Sequence, residues 1–184
     1  MSRGTHLRGL VLCALFAALL AVGTFIRIPT PLLPLTLQTF FVVLAGLTLG
    51  EKRGALAVAI YVAAGLMGLP VFTAGGGPGY VLNPTFGYIL GFIAGAWLAG
   101  RLTRLWGRGL WRETLAGAGA IALIYALGVT WYYVAARWYL GRELSIPTIF
   151  WSFLVLPLPG DLASCFAAAL LSRRLRDVIS VPEC

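Results

Sequence analysis

Long runs without charged residues alternate with short charged clusters along this sequence. The uncharged runs are 9–26, 28–50, 54–100, 114–136 and 144–172, with Asp161 as the one charge among them. A helix needs roughly 20 residues to cross a bilayer. The run 54–100 is long enough for two such helices, and Gly75-Gly76-Gly77-Pro78-Gly79 near its middle is typical of a turn between them.

The pattern predicts an all-α integral membrane bundle with six transmembrane helices in a single membrane domain over residues 1–184. The predicted helices span approximately 8–27, 35–51, 54–70, 83–101, 114–138 and 160–176. Three unusual segments connect them. They are a Pro-rich loop at 28–35, a Gly-rich loop at 71–82 and an apolar external or re-entrant segment at 144–159.

Composition supports a protein that is solvated by lipid. The chain has 184 residues, of which 60% are hydrophobic and 11% are charged, and its mean hydropathy is +0.91. A typical soluble domain carries about 25% charged residues, so a water-soluble enzyme is excluded. The net charge is +8, but the basic residues lie between apolar runs and form no continuous patch. The lipid bilayer is therefore the expected partner, and nucleic acid is not.

The distribution of basic residues predicts the orientation of the bundle. With six helices the two termini share one side of the membrane, and 11 of the 14 Lys and Arg residues fall on that side. Basic residues near helix ends concentrate on the cytoplasmic face. Both termini are therefore predicted to be cytoplasmic, and the three unusual segments are predicted to be external.

Several kinds of chemistry lack the residues that they need. The sequence has no G-x-x-x-x-G-K-[ST] loop for ATP phosphates, so transport would draw energy from another subunit or an ion gradient. His6 is the only histidine, and the three cysteines have no metal-ligand spacing. We therefore expect no catalytic residues, no metal and no cofactor. An intramembrane enzyme is the alternative from another functional class.

Asp161 is the carboxylate predicted to lie at membrane depth. An ionisable side chain there costs about 3 kcal/mol on insertion scales and usually faces a partner or a cavity. It follows Pro157-Leu158-Pro159-Gly160, a sequence that begins a new helix. Two interpretations carry equal weight: Asp161 caps the helix, or it accepts N–H donors from a ligand in an external cavity.

Other polar residues border the Pro-rich loop on the predicted external side. Thr36 and Gln38 stand where the second helix begins. They are candidates for ligand contact, while capping by Thr36 and a hydrogen bond between helices by Gln38 are slightly favoured.

A third group of candidates surrounds the Gly-rich loop. Phe72 offers an apolar wall for a ligand. Gly75 and Gly76 have no side chain and would let a ligand approach the backbone closely, although a Gly-rich segment is usually only a turn. Asn83 and Tyr88 add a donor, an acceptor and a flat ring near the external end of the fourth helix.

Two stripes of small residues predict close helix packing. The first helix carries Ala14 with Ala18 and Ala17 with Ala21, and the fourth carries Gly87, Gly91, Gly95 and Ala99. Such spacing lets two helix backbones approach. Packing inside the bundle is the preferred interpretation for the fourth helix, whereas the first helix is predicted to dock a second membrane subunit.

Several motifs together carry a family resemblance. They are Thr36-Leu37-Gln38-Thr39-Phe40 with Leu44-Ala45-Gly46 and Leu49-Gly50, then Gly68-Leu69-Pro70-Val71-Phe72, then Asn83-Pro84-Thr85-Phe86-Gly87-Tyr88 with Gly91-Phe92, and Pro159-Gly160-Asp161. In this order the set resembles the BioY family, the biotin-specific S components of energy-coupling factor (ECF) transporters. The resemblance covers about residues 10–176.

The resemblance implies a function in vitamin uptake. It implies high-affinity binding of biotin at the external side of a prokaryotic cell membrane, with Asp161 and Asn83 in the binding site. It also implies that a transmembrane coupling subunit binds the first helix, and that two cytoplasmic ATPases supply the energy. The residues that match the docking face are Ala14, Ala17, Ala18 and Ala21.

One position departs from the family pattern. Members commonly place a lysine three residues after the aspartate, whereas this chain has Ser164. Arg27 in the Pro-rich loop is a candidate replacement partner for the carboxylate of the ligand. An uptake protein for another small vitamin or for a biotin precursor is the alternative function.

Overall fold

The computed structural model describes residues 3–29, 34–140 and 151–178. Five α-helices dominate them: α1 (Arg3–Phe25), α2 (Gln38–Leu66), α3 (Phe86–Trp106), α4 (Leu110–Ala135) and α5 (Leu158–Val178). The shorter elements are the strands β1 (Arg27–Ile28) and β2 (Leu35–Thr36), a 3₁₀ turn (Pro78–Leu82) and two π-helical turns (Ala136–Leu140 and Trp151–Val155). β1 and β2 pair antiparallel, with Arg27 opposite Thr36.

Helix α2 reverses direction at Gly50 and forms a helical hairpin. Gly50 has φ 80° and ψ 178°, which is outside the helical region and is readily adopted only by glycine. The limbs before and after it are in contact, since a Cβ atom on Gly54 would lie 2.9 Å from the Ala45 carbonyl oxygen. The two limbs, 38–49 and 51–66, are the helices that the sequence predicts at 35–51 and 54–70, and the second ends four residues earlier than predicted.

Glycines bring α3 against the hairpin. A Cβ atom on Gly46 would clash with the Ala96 carbonyl oxygen, and one on Gly100 would clash with the Glu51 amide nitrogen. The backbones of α2 and α3 therefore approach closely at Gly46 and at Gly50–Glu51.

The small-residue stripe of α3 packs inside the bundle, as predicted. A Cβ atom on Gly87 would clash with the Trp131 side chain, and the corresponding atoms on Gly91 and Gly95 would meet Ile124. Three of the four small residues thus face α4. Ala99 instead faces α2, where its Cβ lies 2.9 Å from the position that a Gly46 Cβ would take.

Four helical segments in the described part of the chain are long and apolar enough to cross a membrane. They are Leu7–Phe25, Phe86–Trp106, Leu110–Trp138 and Trp151–Arg176. The hairpin α2 is not among them because Glu51, Lys52 and Arg53 lie at its middle. The fold is therefore that of a helical membrane protein.

The ends of several predicted helices differ from the structure. The helix predicted at 83–101 begins at Phe86 and extends to Trp106, and the one predicted from 114 already begins at Leu110. Part of the segment predicted at 144–159 lies outside the described residues. Its last part forms the π-helical turn Trp151–Val155, after which α5 begins at Leu158.

Charged side chains gather at one end of the bundle, which we name the charged end. Glu51 beside the hairpin turn contacts Arg104 at 2.9 Å and Arg101 at 3.5 Å. Glu113 in the first turn of α4 contacts Arg176 near the end of α5. Arg104 and Arg176 lie in the last turns of α3 and α5, where the helix dipole favours a cation.

Candidate functional site

A cavity of about 350 Å³ lies at the opposite end of the bundle, which we name the cavity end. The starts of α2, α3 and α5, the later part of α4 and the β1–β2 hairpin surround it. This volume falls within the roughly 300–1,000 Å³ that is common for small-molecule sites. The predicted site residues that line it are Arg27, Thr36, Gln38, Tyr88, Asp161 and Ser164.

Asp161 lies in the first turn of α5 and lines the cavity. Its backbone N–H donates to the Pro157 carbonyl at 3.0 Å, so the residue is already inside the helix. Its carboxylate accepts a short hydrogen bond from the Tyr125 hydroxyl of α4, and the Thr39 side chain of α2 is a second hydrogen-bond partner. The capping interpretation is therefore wrong, because the carboxylate is directed to neighbouring helices and not to the amides of its own helix.

Gln38 is held by two neighbouring hydroxyl groups at the edge of the cavity. Its side-chain nitrogen donates to the Tyr61 hydroxyl at 2.6 Å, and its side-chain oxygen accepts from the Thr36 hydroxyl at 3.1 Å. Gln38 is buried, with 4% of its surface exposed. The favoured prediction of a hydrogen bond between helices is confirmed, and the same side chain also lines the cavity.

Tyr88 forms part of the cavity wall and also contacts the π-helical turn that precedes α5. Its hydroxyl donates to the Phe153 carbonyl at 3.4 Å, in the π-helical turn that precedes α5. Its ring meets the Tyr125 ring edge to face, with centroids 6.3 Å apart. Gly128 makes this packing possible, since a Cβ atom there would lie 2.6 Å from the Tyr88 ring.

Arg27 lies in the strand β1 at the edge of the cavity, where its side chain is exposed. One guanidinium nitrogen donates to the Thr73 carbonyl at 2.6 Å. The Thr73 side chain is 3.0 Å from the Tyr80 hydroxyl, and both residues line the cavity. Arg27 therefore links the β1–β2 hairpin to the loop that follows α2.

Four predicted site residues do not line the cavity. The side-chain oxygen of Asn83 accepts from the backbone N–H and the hydroxyl of Thr85, at 3.0 and 2.8 Å, and so starts α3. Phe72 is 3% exposed and packs in the core, where Gly75 closes a tight turn with it through two backbone hydrogen bonds. Gly76 packs on the backbone of the same loop, because a Cβ atom there would clash with the Leu69 carbonyl oxygen.

Sequence reasoning missed several residues of the site. The cavity lining includes eight of them: Thr39, Thr73, Tyr80, Thr85, Ile89, Phe92, Ile124 and Tyr125. Tyr125 carried a usable signal, since a phenol within an apolar helix needs a hydrogen-bond partner at membrane depth. The three apolar residues among them lie in the first two turns of α3 and in the later part of α4, and they form hydrophobic walls.

The arrangement suits binding. A carboxylate with two hydroxyl partners lies near apolar walls, and a guanidinium lies at the rim. Within the described ranges no group of three His, Cys, Asp or Glu side chains could hold a metal ion.

The predicted docking residues of α1 face two directions. Ala14 and Ala18 are exposed, in line with the exposed residues Leu7, Val11, Val22 and Phe25. Ala17 is buried at 9% exposure and Ala21 is partly buried. Only one of the two alanine pairs is therefore available on the surface.

A helical membrane protein with an amphipathic cavity near one end belongs to the class of membrane-embedded small-molecule binders. The BioY family model matches residues 1–181, and the chain therefore belongs to the BioY family. This family is one of transporters, in agreement with the expectation of a protein that is not an enzyme.

Two relatives and one solved structure illustrate the similarity. The chain is 43% identical over 170 residues to a probable biotin transporter BioY of Lysinibacillus sphaericus, covering 92% of this chain and 87% of the relative. It is 34% identical over 177 residues to the biotin transporter BioY of Rhodobacter capsulatus, covering 91% and 93%. Its fold matches a crystal structure of the S-component for biotin from an ECF-type ABC transporter, with a TM-score of 0.85, 25% identity and coverage of 96% and 95%.

Proposed function

We propose that this protein is the biotin-binding S component of an ECF-type vitamin transporter and that it captures biotin in the cavity beside Asp161. The observation that carries the proposal is the partly buried Asp161 carboxylate, which lines a cavity of suitable size between apolar walls. The similarity to biotin transporters over most of the chain supports biotin as the ligand.

The chemistry of biotin matches the distribution of groups in the cavity. Its ureido ring offers two N–H donors, for which the Asp161 carboxylate is an acceptor. Its thiophane ring is apolar and suits the wall formed by Phe92 and Ile124. Its valerate chain ends in a carboxylate, for which Arg27 at the rim of the cavity is the basic partner in this proposal. In this arrangement Ser164 lies one turn after Asp161 beside the ureido ring.

The orientation in the membrane follows from the positions of the basic residues. We place the charged end in the cytoplasm, since Arg101, Arg104 and Arg176 lie there. The cavity then opens toward the outside, and both termini are cytoplasmic. The two limbs of α2 would each enter the membrane, which with α1, α3, α4 and α5 makes six membrane segments.

A partner complex would supply the energy for import. We assign the exposed stripe of α1, with Ala14 and Ala18 at its centre, to contact with a transmembrane coupling subunit. Two cytoplasmic ATPases complete the transporter in this proposal. Ala17 and Ala21 serve packing within the bundle, because they point toward the other helices.

Calorimetric titration of the detergent-purified protein tests the ligand. Biotin is expected to bind tightly, and Asp161→Asn is expected to weaken binding at least tenfold, since an amide accepts fewer hydrogen bonds and carries no charge. Glu51→Gln at the charged end is the matched control and leaves the affinity for biotin unchanged. Thiamine and riboflavin are expected to give no heat. A folded protein that releases no heat with biotin would contradict the proposal, and heat with another vitamin would support the alternative function.

A further inference from the structure

The lining of the cavity includes a carboxylate, Asp161, without a basic partner among the described side chains. Ion pairs at the charged end join Glu51 to Arg101 and Arg104, and Glu113 to Arg176. Among the described residues that line the cavity Arg27 is the one basic residue, and its guanidinium donates to the Thr73 carbonyl at 2.6 Å.

Hydroxyl groups take the place of a cation beside Asp161. Tyr125 donates to one carboxylate oxygen, and the Thr39 side chain is the second partner. Tyr125 and Thr39 are 5% and 8% exposed, so the packing of α4 and α2 fixes both hydroxyl groups in place. Such hydrogen bonds stabilise a carboxylate, but they add no positive charge to the site.

The carboxylate keeps the capacity to bind a ligand. An ionised carboxylate has about four positions at which it accepts hydrogen bonds, and Tyr125 and Thr39 occupy two of them. Ser164, one turn further along α5, is small and uncharged and also lines the cavity. The remaining positions can therefore receive two parallel N–H donors from a planar group.

We propose that Asp161, Tyr125 and Thr39 form an anionic subsite that accepts a planar cationic N–H donor, an amidinium or guanidinium, as well as a neutral urea. A cation in this subsite gains Coulomb attraction from a carboxylate that no described side chain neutralises. The inference rests on the proposed function, because it concerns the part of the same cavity that receives the ureido ring.

The probe is 2-iminobiotin, in which an imine nitrogen replaces the ureido oxygen so that the ring is a guanidinium at neutral pH. Calorimetric titration gives the ratio of its Kd to that of biotin. In the unchanged protein we expect the two Kd values to lie within about tenfold of one another, because the guanidinium loses the carbonyl acceptor but gains the charge attraction.

Two substitutions of Ser164 isolate the effect of charge. Ser164→Lys places a cation one helical turn from Asp161, and Ser164→Met adds a side chain of similar length without charge. We expect Ser164→Lys to weaken 2-iminobiotin at least tenfold more than it weakens biotin. Ser164→Met should weaken both ligands by the same factor.

Tyr125→Phe provides an independent variant, because it removes the hydroxyl and keeps the ring. Asp161 then loses the hydrogen bond from the Tyr125 hydroxyl. We expect the Kd of 2-iminobiotin to fall relative to that of biotin, because the charge of 2-iminobiotin compensates the carboxylate. Tyr133→Phe, which removes an exposed hydroxyl that accepts from Arg137 and does not line the cavity, should leave the ratio unchanged.

The outcomes separate the two proposals. Absence of biotin binding would contradict the proposed function. If biotin binds, two results would overturn the anionic subsite while the biotin assignment stands. One is that the unchanged protein does not bind 2-iminobiotin. The other is that the ratio of the two Kd values is the same in Ser164→Lys and Ser164→Met.

Discussion

The side-chain amide of Gln38 donates a hydrogen bond of 2.6 Å to the Tyr61 hydroxyl across the two limbs of α2. The same hydroxyl donates to the Val71 carbonyl at 3.0 Å and lies 3.1 Å from the Thr24 hydroxyl of α1. Tyr61 is 1% exposed. One buried phenol therefore joins α1, both limbs of α2 and the loop after α2, next to the wall of the cavity.

Tyr61→Phe is expected to destabilise the protein and to weaken biotin binding. It removes the acceptor of the Gln38 side-chain amide and the donor to the Val71 carbonyl, which costs about 1–3 kcal/mol for each group left unsatisfied, whereas the Thr24 hydroxyl keeps its hydrogen bond to the Leu20 carbonyl. Gln38 lines the cavity, so its loss of orientation should also raise the Kd. Thermal unfolding and biotin titration measure the two effects. Tyr133→Phe is the control, because that exposed hydroxyl accepts a hydrogen bond from the exposed Arg137 and its loss should change neither quantity.

Arg27→Ala is expected to weaken biotin without affecting a neutral analogue. An exposed ion pair contributes up to about 1 kcal/mol, so the Kd should rise roughly fivefold. Biotinamide, which lacks the carboxylate charge, should bind the variant and the unchanged protein equally well. Arg137→Ala, also exposed and at the cavity end, is the matched control. An unchanged Kd for biotin in Arg27→Ala would remove Arg27 from the binding site.

Leucine at Ala14 or Ala18 is expected to disrupt assembly with the coupling subunit and to leave biotin binding intact. Both residues are exposed on α1 and neither lines the cavity, and a larger side chain would hold a facing helix of the partner away. Co-purification with the coupling subunit measures assembly. Ala126→Leu, an exposed alanine of α4, should not change it.

Ala17→Leu separates the inward face of α1 from the outward face. Ala17 is 9% exposed, so the larger side chain overpacks the interior and should cost about 1–3 kcal/mol. We expect a lower midpoint of thermal unfolding for Ala17→Leu than for Ala14→Leu. Equal stability of the two variants would contradict the assignment of the two faces.

Arg176→Met is expected to be strongly destabilising. Arg176 contacts Glu113 at 2.5 Å, and Glu113 is fully buried and also accepts from Ser172 at 2.8 Å. Removal of one partner from a buried pair costs about 3–5 kcal/mol, because the other charge remains buried. The double variant Glu113→Met with Arg176→Met should recover part of the loss. Thermal unfolding measures each variant.

Arg104→Met is the control for the buried pair. Arg104 contacts Glu51 at 2.9 Å, but its side chain is 50% exposed. Solvent screens such a pair, and its loss should cost no more than about 1 kcal/mol. A loss as large as that of Arg176→Met would show that burial does not set the difference.

Several elements of the fold could be predicted because membrane insertion depends on composition. The uncharged run before Arg27 became α1, and the Gly-x-x-x-Gly stripe of α3 packs on α4. The boundaries of α2 were less predictable. The hairpin turns at a single residue, Gly50. The positive φ of Gly50 is a local backbone conformation that cannot be predicted from the hydrophobic pattern.

The candidate site was predictable only in part. Asp161 was identified because an ionisable side chain in an apolar run is costly in a membrane and usually faces a partner or a cavity. Asn83 was predicted as a ligand contact from the family resemblance, yet the structure turns its side chain to Thr85. A sequence motif states which residues occur together and not the direction in which each side chain points.

The sequence by itself determined that this chain is a helical membrane protein and which carboxylate stands out, because lipid requires apolar segments whose backbone bonds are internal. The tertiary structure alone decided which groups surround that carboxylate. Tyr125 and Asp161 are 36 residues apart in the chain and belong to different helices. Their contact depends on how α4 and α5 are rotated and packed, and close packing of side chains, not periodicity along the chain, sets that rotation.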